Sequence, residues 1–158
     1  MKINFNDWVN DKDCRYQCTK PFKIGDRVVA TNSHVLISTK QVLGDFEKAK
    51  PVLIDKHFDI SDMFVGKVLK PLVIQDHYYV RYAEVYEVFG FQFRKEYIDL
   101  INQKDVEVAF GNILKHPVLN NYAANLIFKS GDTFGCVAGL YKSPRVNKNF
   151  TENVWVIR

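Results

Sequence analysis

Three cysteines and four histidines are the residues of this chain best suited to bond-making, and their spacing decides what they can do. Cys136 with His34, His57, His77 or His116 is the thiol and imidazole combination that nucleophilic catalysis would need. Its neighbours Phe134, Gly135, Val137 and Ala138 offer little polarity. Such surroundings raise a thiol pKa and favour an inert core cysteine. Cys14 and Cys18 would share a face if they sat one helical turn apart. A structural zinc needs four ligands, however, and no second Cys/His pair has suitable spacing. Asp76 with His77, and Asp55 with His57, lack a third ligand. Asp59 with Asp62, and Glu84 with Glu87, are close in sequence, but acid–base work depends on separation and unequal burial, and a solvated face is their ordinary reading.

Phosphate chemistry finds no motif either. Nothing matches Gly-x-x-x-x-Gly-Lys-Ser/Thr, whose amides and lysine cradle a nucleotide. Gly131, Gly135 and Gly139 recur at intervals of four in a strand-turn-strand context with no helix after them, which reads as a turn and bulges, not a dinucleotide fingerprint. The aromatic residues from Tyr78 to Phe93, interleaved with Arg81 and Arg94, could stack bases of single-stranded nucleic acid. Core packing consumes the same residues at alternate positions of a sheet. The residues therefore predict no catalytic group, no cofactor and no metal.

The elements that would position these groups follow from periodicity. Asn6 reads as the cap of a short helix that turns Trp8 and Val9 inward. Phe22 to Ile24 and Val28 to Ala30 flank Gly25-Asp26, and Val35 to Ser38 returns through Thr31-Asn32-Ser33, so residues 21–40 read as short strands joined by turns. Residues 44–57 mix charges without a period and read as loop, with a short strand at Val52 to Ile54. Ser61 then caps a helix carrying Met63, Phe64, Val68 and Leu69, which Pro71 stops, with Lys67 and Lys70 on its outer face. Residues 72–93 predict three or four antiparallel strands, and Tyr97, Ile98, Leu100 and Ile101 form the stripe of a further helix. Strands follow at Val106 to Phe110, Ala123 to Lys129, Thr133 to Tyr141 and Val154 to Ile157, with Ser130-Gly131-Asp132 as a hairpin turn. Runs of strands with helices inserted between them indicate a single α+β domain over residues 1–158, a largely antiparallel sheet with two or three helices packed on one face.

Composition agrees and narrows the class. The 158 residues are 47 % hydrophobic and 25 % charged, with eight Gly and five Pro, which excludes a disordered or low-complexity chain. The longest apolar runs, Pro71 to Ile74 and Val137 to Tyr141, fall far short of the ~20 residues of a membrane span. The polar amino terminus does not resemble a secretion signal, and the odd cysteine count argues against a disulfide framework, so a cytoplasmic protein is expected. The net charge of +4 is spread evenly: 12 basic and 10 acidic residues up to residue 79, and 10 and 8 beyond it. The one local excess lies in residues 140–158, where Lys142, Arg145, Lys148 and Arg158 face Glu152 alone.

The segment Val29-Ala30-Thr31-Asn32-Ser33-His34-Val35-Leu36 resembles a hairpin of DNA sliding-clamp domains, the polymerase processivity factors, and of clamp-like proteins of phages and mobile elements. The closing strands from Asp132 to Tyr141 and Val154 to Arg158 are similar to the ends of such domains. Asn32, Ser33 and Val35 stand where the family's hairpin has an acid, a glycine and an arginine, and the chain has room for one such domain. The resemblance implies a noncatalytic clamp-like domain associated with DNA or replication proteins, able to act around DNA only as a homo-oligomer. Lys67, Lys70, Lys142, Arg145 and Lys148 are then the candidate phosphate contacts. The competing expectation is a small protein-interaction module, an adaptor or inhibitor without nucleic-acid binding, that uses the aromatic strands or the loop Ser143 to Thr151.

Overall fold

The computed structural model describes residues 1–40, 43–80 and 83–141. The chain opens with a 3-10 turn at Phe5–Trp8, and Asn4, not Asn6, is its cap: the Asn4 side chain accepts from the Asn6 amide. β1 (Phe22–Ile24) and β2 (Arg27–Thr31) form a hairpin around Gly25-Asp26, and β3 (Val35–Lys40) follows a turn in which Asn32 Oδ1 accepts from the amides of His34 and Val35 at 2.8 and 3.0 Å. A short Asn side chain that takes over backbone amides is what bends the chain there.

α1 (Pro51–Asp62) corrects the expectation of a loop over residues 44–57 and of a helix begun by Ser61. Pro51 occupies its first turn, where a missing N–H costs nothing. Leu53, His57 and Ile60 form its buried stripe, and a histidine in the middle of that stripe hides the period. The turn that follows places Gly66 at φ +74°, beyond the helix rather than inside it. Lys67 and Lys70 accordingly lie on no helix: Lys67 follows the turn and Lys70 opens β4 (Lys70–Pro71).

β5 (Asp76–Val80), β6 (Ala83–Val88) and β7 (Phe91–Arg94) are the three antiparallel strands expected, and α2 (Lys95–Ile101) is the helix read from the Tyr97 stripe. β8 (Glu107–Lys115), β9 (Tyr122–Ser130) and β10 (Thr133–Val137) complete the chain as described, with Gly131 at φ +56° in the β9–β10 turn. β10 ends at Val137, four residues before the predicted boundary. The predicted strand Val154 to Ile157 lies outside the described residues.

The class is α+β with antiparallel sheets, but there are two sheets among the described residues. One runs β1-β2-β3-β10-β9-β8-β4 and the other β5-β6-β7. The helices lie on opposite faces of the larger sheet, not on one. Val29, Leu36, Ile127 and Cys136 pack with Leu53 and Ile60 of α1, whereas their strand neighbours Ala30, Ile37, Phe128 and Val137 pack with Ile98 and Ile101 of α2 and with Val88 and Phe93 of the smaller sheet. Successive residues of a strand point to opposite faces, so a strand covered on both sides reads as an unbroken apolar run, as Val28 to Ala30 and Val35 to Ile37 do. Trp8 seals the α2 face by packing on Phe128, with ring centroids 5.6 Å apart.

Gly135 belongs to this two-sided packing rather than to a bulge. It pairs in regular register with Ile37 and Phe128, and a Cβ there would run into the Leu36 carbonyl and the Phe128 ring. Gly135→Ala is expected to cost about 3 kcal/mol or more in chemical denaturation, the range of overpacked cores. A loss below about 0.5 kcal/mol, typical of surface changes, would contradict the close approach.

Candidate functional site

The nearest approach to a catalytic constellation joins residues that no sequence spacing relates. Arg27 of β2 donates from Nε to Ser38 Oγ at 2.6 Å and from Nη2 to the carbonyls of Ser38 and Asp132. Ser38 Oγ lies 2.9 Å from His57 Nε2. A guanidinium only donates, so the serine hydroxyl accepts from Arg27 and shares a further hydrogen bond with Nε2. The other ring nitrogen, Nδ1, is buried with no hydrogen-bond partner among the described residues.

A serine, a histidine and a charged group in line invite comparison with a catalytic triad, but the order is wrong for one. Nucleophilic catalysis requires an acceptor on the far ring nitrogen to hold the imidazolium that forms, and a nucleophile that substrate can reach. Here the charged partner is a cation on the serine side, the far nitrogen faces no acceptor, and Ser38 is fully buried. The rings of Phe58 and Phe134 close over His57, and Arg27 stacks on Phe134 at 4.8 Å. What the arrangement does is tie α1 to β2 and β3.

The same geometry sets a pH dependence. Burial, with the Arg27 charge second, holds the His57 pKa below its ordinary 6.5. Its depressed folded value means that the unfolded chain binds the extra proton first, so this stabilisation is complete above about pH 6.5 and declines as pH falls toward the folded pKa. His57→Gln is expected to flatten the pH dependence of unfolding free energy below about pH 6.5. An unchanged slope would contradict the neutral, buried imidazole.

Cys136 lies at the floor of a cleft of about 170 Å³ between α1 and the larger sheet, with His34, Lys56, Asp59 and Asn125 around it. Burial pushes the Cys136 thiol up to about 12, against a weaker pull from Lys56. Almost no thiolate exists at neutral pH under those conditions. His34, the imidazole in the same cleft, is stacked on Tyr97 at 5.6 Å. Cys14 is exposed and Cys18 buried, and no group of three or more His, Cys, Asp or Glu residues is placed to hold a metal among the described residues. Glu84 and Glu87, three apart on a strand, point to opposite faces; Glu84 meets His77 Nε2 at 2.7 Å and Glu87 accepts from Tyr78 Oη at 3.3 Å. A thiol reagent added to the native protein is expected to modify Cys14 quickly and to reach Cys18 and Cys136 only on unfolding. Rapid native labelling of Cys136 would contradict the buried, protonated thiol.

Of the cations predicted to meet phosphate, Lys67 and Lys70 lie beside β8. Lys142, Arg145 and Lys148, like Arg81, lie outside the described residues. The exposed side of α1 carries Asp55, Asp59 and Asp62 against Lys56, and on α2 Lys95 pairs with Asp99 at 2.5 Å while Arg94 pairs with Glu96 at 3.4 Å. Neither helix presents a cationic face. The aromatic stretch serves packing: Phe93 is fully buried, Tyr78 is 6 % exposed, and Tyr86 is half-buried beneath the Lys95 ammonium.

A different feature carries exposed chemistry. β8 and β9 form a ribbon in which the far end of β8 and the tip reach solvent, with Ile113 56 %, Leu114 45 %, Val118 85 %, Leu119 55 % and Tyr122 46 % exposed, while Ala123 and Ala124 of β9 stay buried. The tip is ordered by His116, whose Nδ1 accepts from the amides of Val118 and Leu119 and whose amide donates to Asn121. The loop before β4 adds Val65 and Val68, also exposed, and Lys67 Nζ reaches the Gly111 carbonyl at 3.4 Å. Sequence reasoning missed this surface because apolar residues in strands read as core by default, and only the register and exposure show otherwise. No protein-family model, no curated protein and no solved structure matches the chain.

Proposed function

We propose that the chain is a noncatalytic protein-interaction module whose contact is the distal half of the β8–β9 ribbon. The observation that carries this reading is the set of large apolar side chains held in solvent on both faces of β8 and at a hydrogen-bonded tip. Apolar side chains exposed on a structured element mark a site of association, because water is displaced there at little cost in ordering the loop. The sealing of Ser38, His57 and Cys136 inside the core supports the noncatalytic part. Association with DNA, which the clamp-type resemblance implies, has one observation in its favour: Lys67 and Lys70 stand along the side of β8, whose end carries Lys115.

Salt and substitution separate the two. Peptides selected from a random display library against the full chain are expected to lose at least tenfold in affinity to Val118→Asp/Leu119→Asp and to change little between about 50 and 200 mM salt. Duplex DNA, whose affinity comes from neutralising cations, would weaken steeply over that range. Selected peptides indifferent to the double substitution, or duplex binding that Lys67→Ala/Lys70→Ala abolishes, would overturn the protein-interaction reading.

A further inference from the structure

The outer edges of the sheets are treated unequally. The edge of β1 is closed by residues 47–49, where the Lys23 amide donates to the Glu47 carbonyl at 2.7 Å and the Ala49 amide donates to the Lys23 carbonyl at 2.9 Å. The edge of β7 is met by Leu140, whose amide donates to the Gln92 carbonyl at 2.8 Å. Along β8, by contrast, β4 covers Glu107 and Val108 of nine residues, so among the described residues 109–115 have no strand on that side. Among the described residues β5 also has one neighbouring strand, but no large apolar side chain is exposed along it. A strand edge with unpaired amides and carbonyls is a template for another extended chain.

Resting on the interaction reading above, we infer that the open edge of β8 takes up an extended segment of a protein partner that is both apolar and acidic, as an added strand. Backbone pairing along residues 109–115 supplies the shape, Ile113 and Leu114 supply apolar contact on the two faces, and Lys67, Lys70 and Lys115 supply the charge preference. The Lys67 ammonium meets the Gly111 carbonyl at only 3.4 Å, and a carboxylate is a stronger partner for it than a neutral carbonyl. A second copy of this chain is the natural competitor for a bare edge. Two-fold pairing of β8 with β8 would bring the same lysines of both copies together, and like charges across an interface are costly. The lysines thus disfavour a second copy of the chain while leaving the edge open to an acidic strand.

The test uses fluorescently labelled nine-residue peptides and the full chain. One alternates Val or Ile with Glu, the second carries Lys in place of Glu, and the third is the Glu peptide N-methylated at every second residue, in both phases. The Glu peptide is expected to bind at least tenfold more tightly than the Lys peptide. N-methylation in one of the two phases is expected to remove at least tenfold, and Lys67→Glu/Lys115→Glu to reverse the charge preference. Equal affinity of all the peptides, binding that survives both methylation phases, or a charge preference unmoved by the double substitution would overturn the inference. So would a native mass that doubles with protein concentration, which would show a second copy on the edge. If library peptides bind the ribbon tip while none of these designed strands binds, the inference fails and the interaction reading stands.

Discussion

Burial of the larger sheet on both faces is the constraint from which the remaining structure follows. β2, β3, β9 and β10 have α1 on one side and α2, Trp8 and the smaller sheet on the other, so almost every side chain along them is committed to packing. Each apolar side chain buried in this way contributes roughly 1.5–3 kcal/mol, and strands covered on both sides collect that contribution at consecutive positions. The cost falls on polar residues caught in the layers. Ser38, Thr39, His57 and Thr133 must find partners inside, and all but His57 Nδ1 do: Ser38 with Arg27 and His57 Nε2, and Thr39 Oγ1 with Thr133 Oγ1 at 2.8 Å.

That commitment limits what Ser38 and Cys136 can reach. A nucleophile needs access and a polarising neighbour, whereas Ser38 and Cys136 have burial and, in one case, a cation that ties up the hydroxyl. The surfaces of α1 and α2 are neutralised or acidic, so the helices cover the sheet without presenting a charge to a partner. Exposed, ordered and apolar surface persists where the layers run out, at the far half of the β8–β9 ribbon. Function is inferred there because, among the described residues, the exposed apolar side chains of β8 and the ribbon tip lie together on one hairpin, whereas Leu43, Val52, Phe58 and Val73 are exposed elsewhere.

Much of the fold was legible in the sequence. Strict alternation marked β5 to β7, the Tyr97-Ile98-Ile101 spacing marked α2, and Gly25-Asp26 and Gly131-Asp132 marked the tight turns. α1 was obscured because His57 occupies a core position of its stripe and Pro51 reads as a breaker although the first turn of a helix favours it. The covering of both faces is written in the unbroken runs Val28 to Ala30, Val35 to Ile37 and Leu126 to Phe128, which propensity alone assigns to strands without saying what lies above and below. The Arg27-Ser38-His57 cluster could not be read from spacing, since register between β2 and β3 and the docking of α1 bring it together across 11 and 19 positions. The apolar tip was illegible for a related reason: Val118 and Leu119 are ordinary core residues until the topology places them beyond the last layer.

The account turns on a division between a doubly covered interior and an uncovered ribbon end. Native-state hydrogen exchange on the full chain measures that division directly, since amides open with free energies from near zero up to that of global unfolding. Amides of β3, of β10 and of β9 from Leu126 to Phe128 are expected to exchange through global unfolding alone, with those at residues 112–121 exchanging orders of magnitude faster. Uniform protection across both regions, or early exchange in β3 and β10, would contradict it.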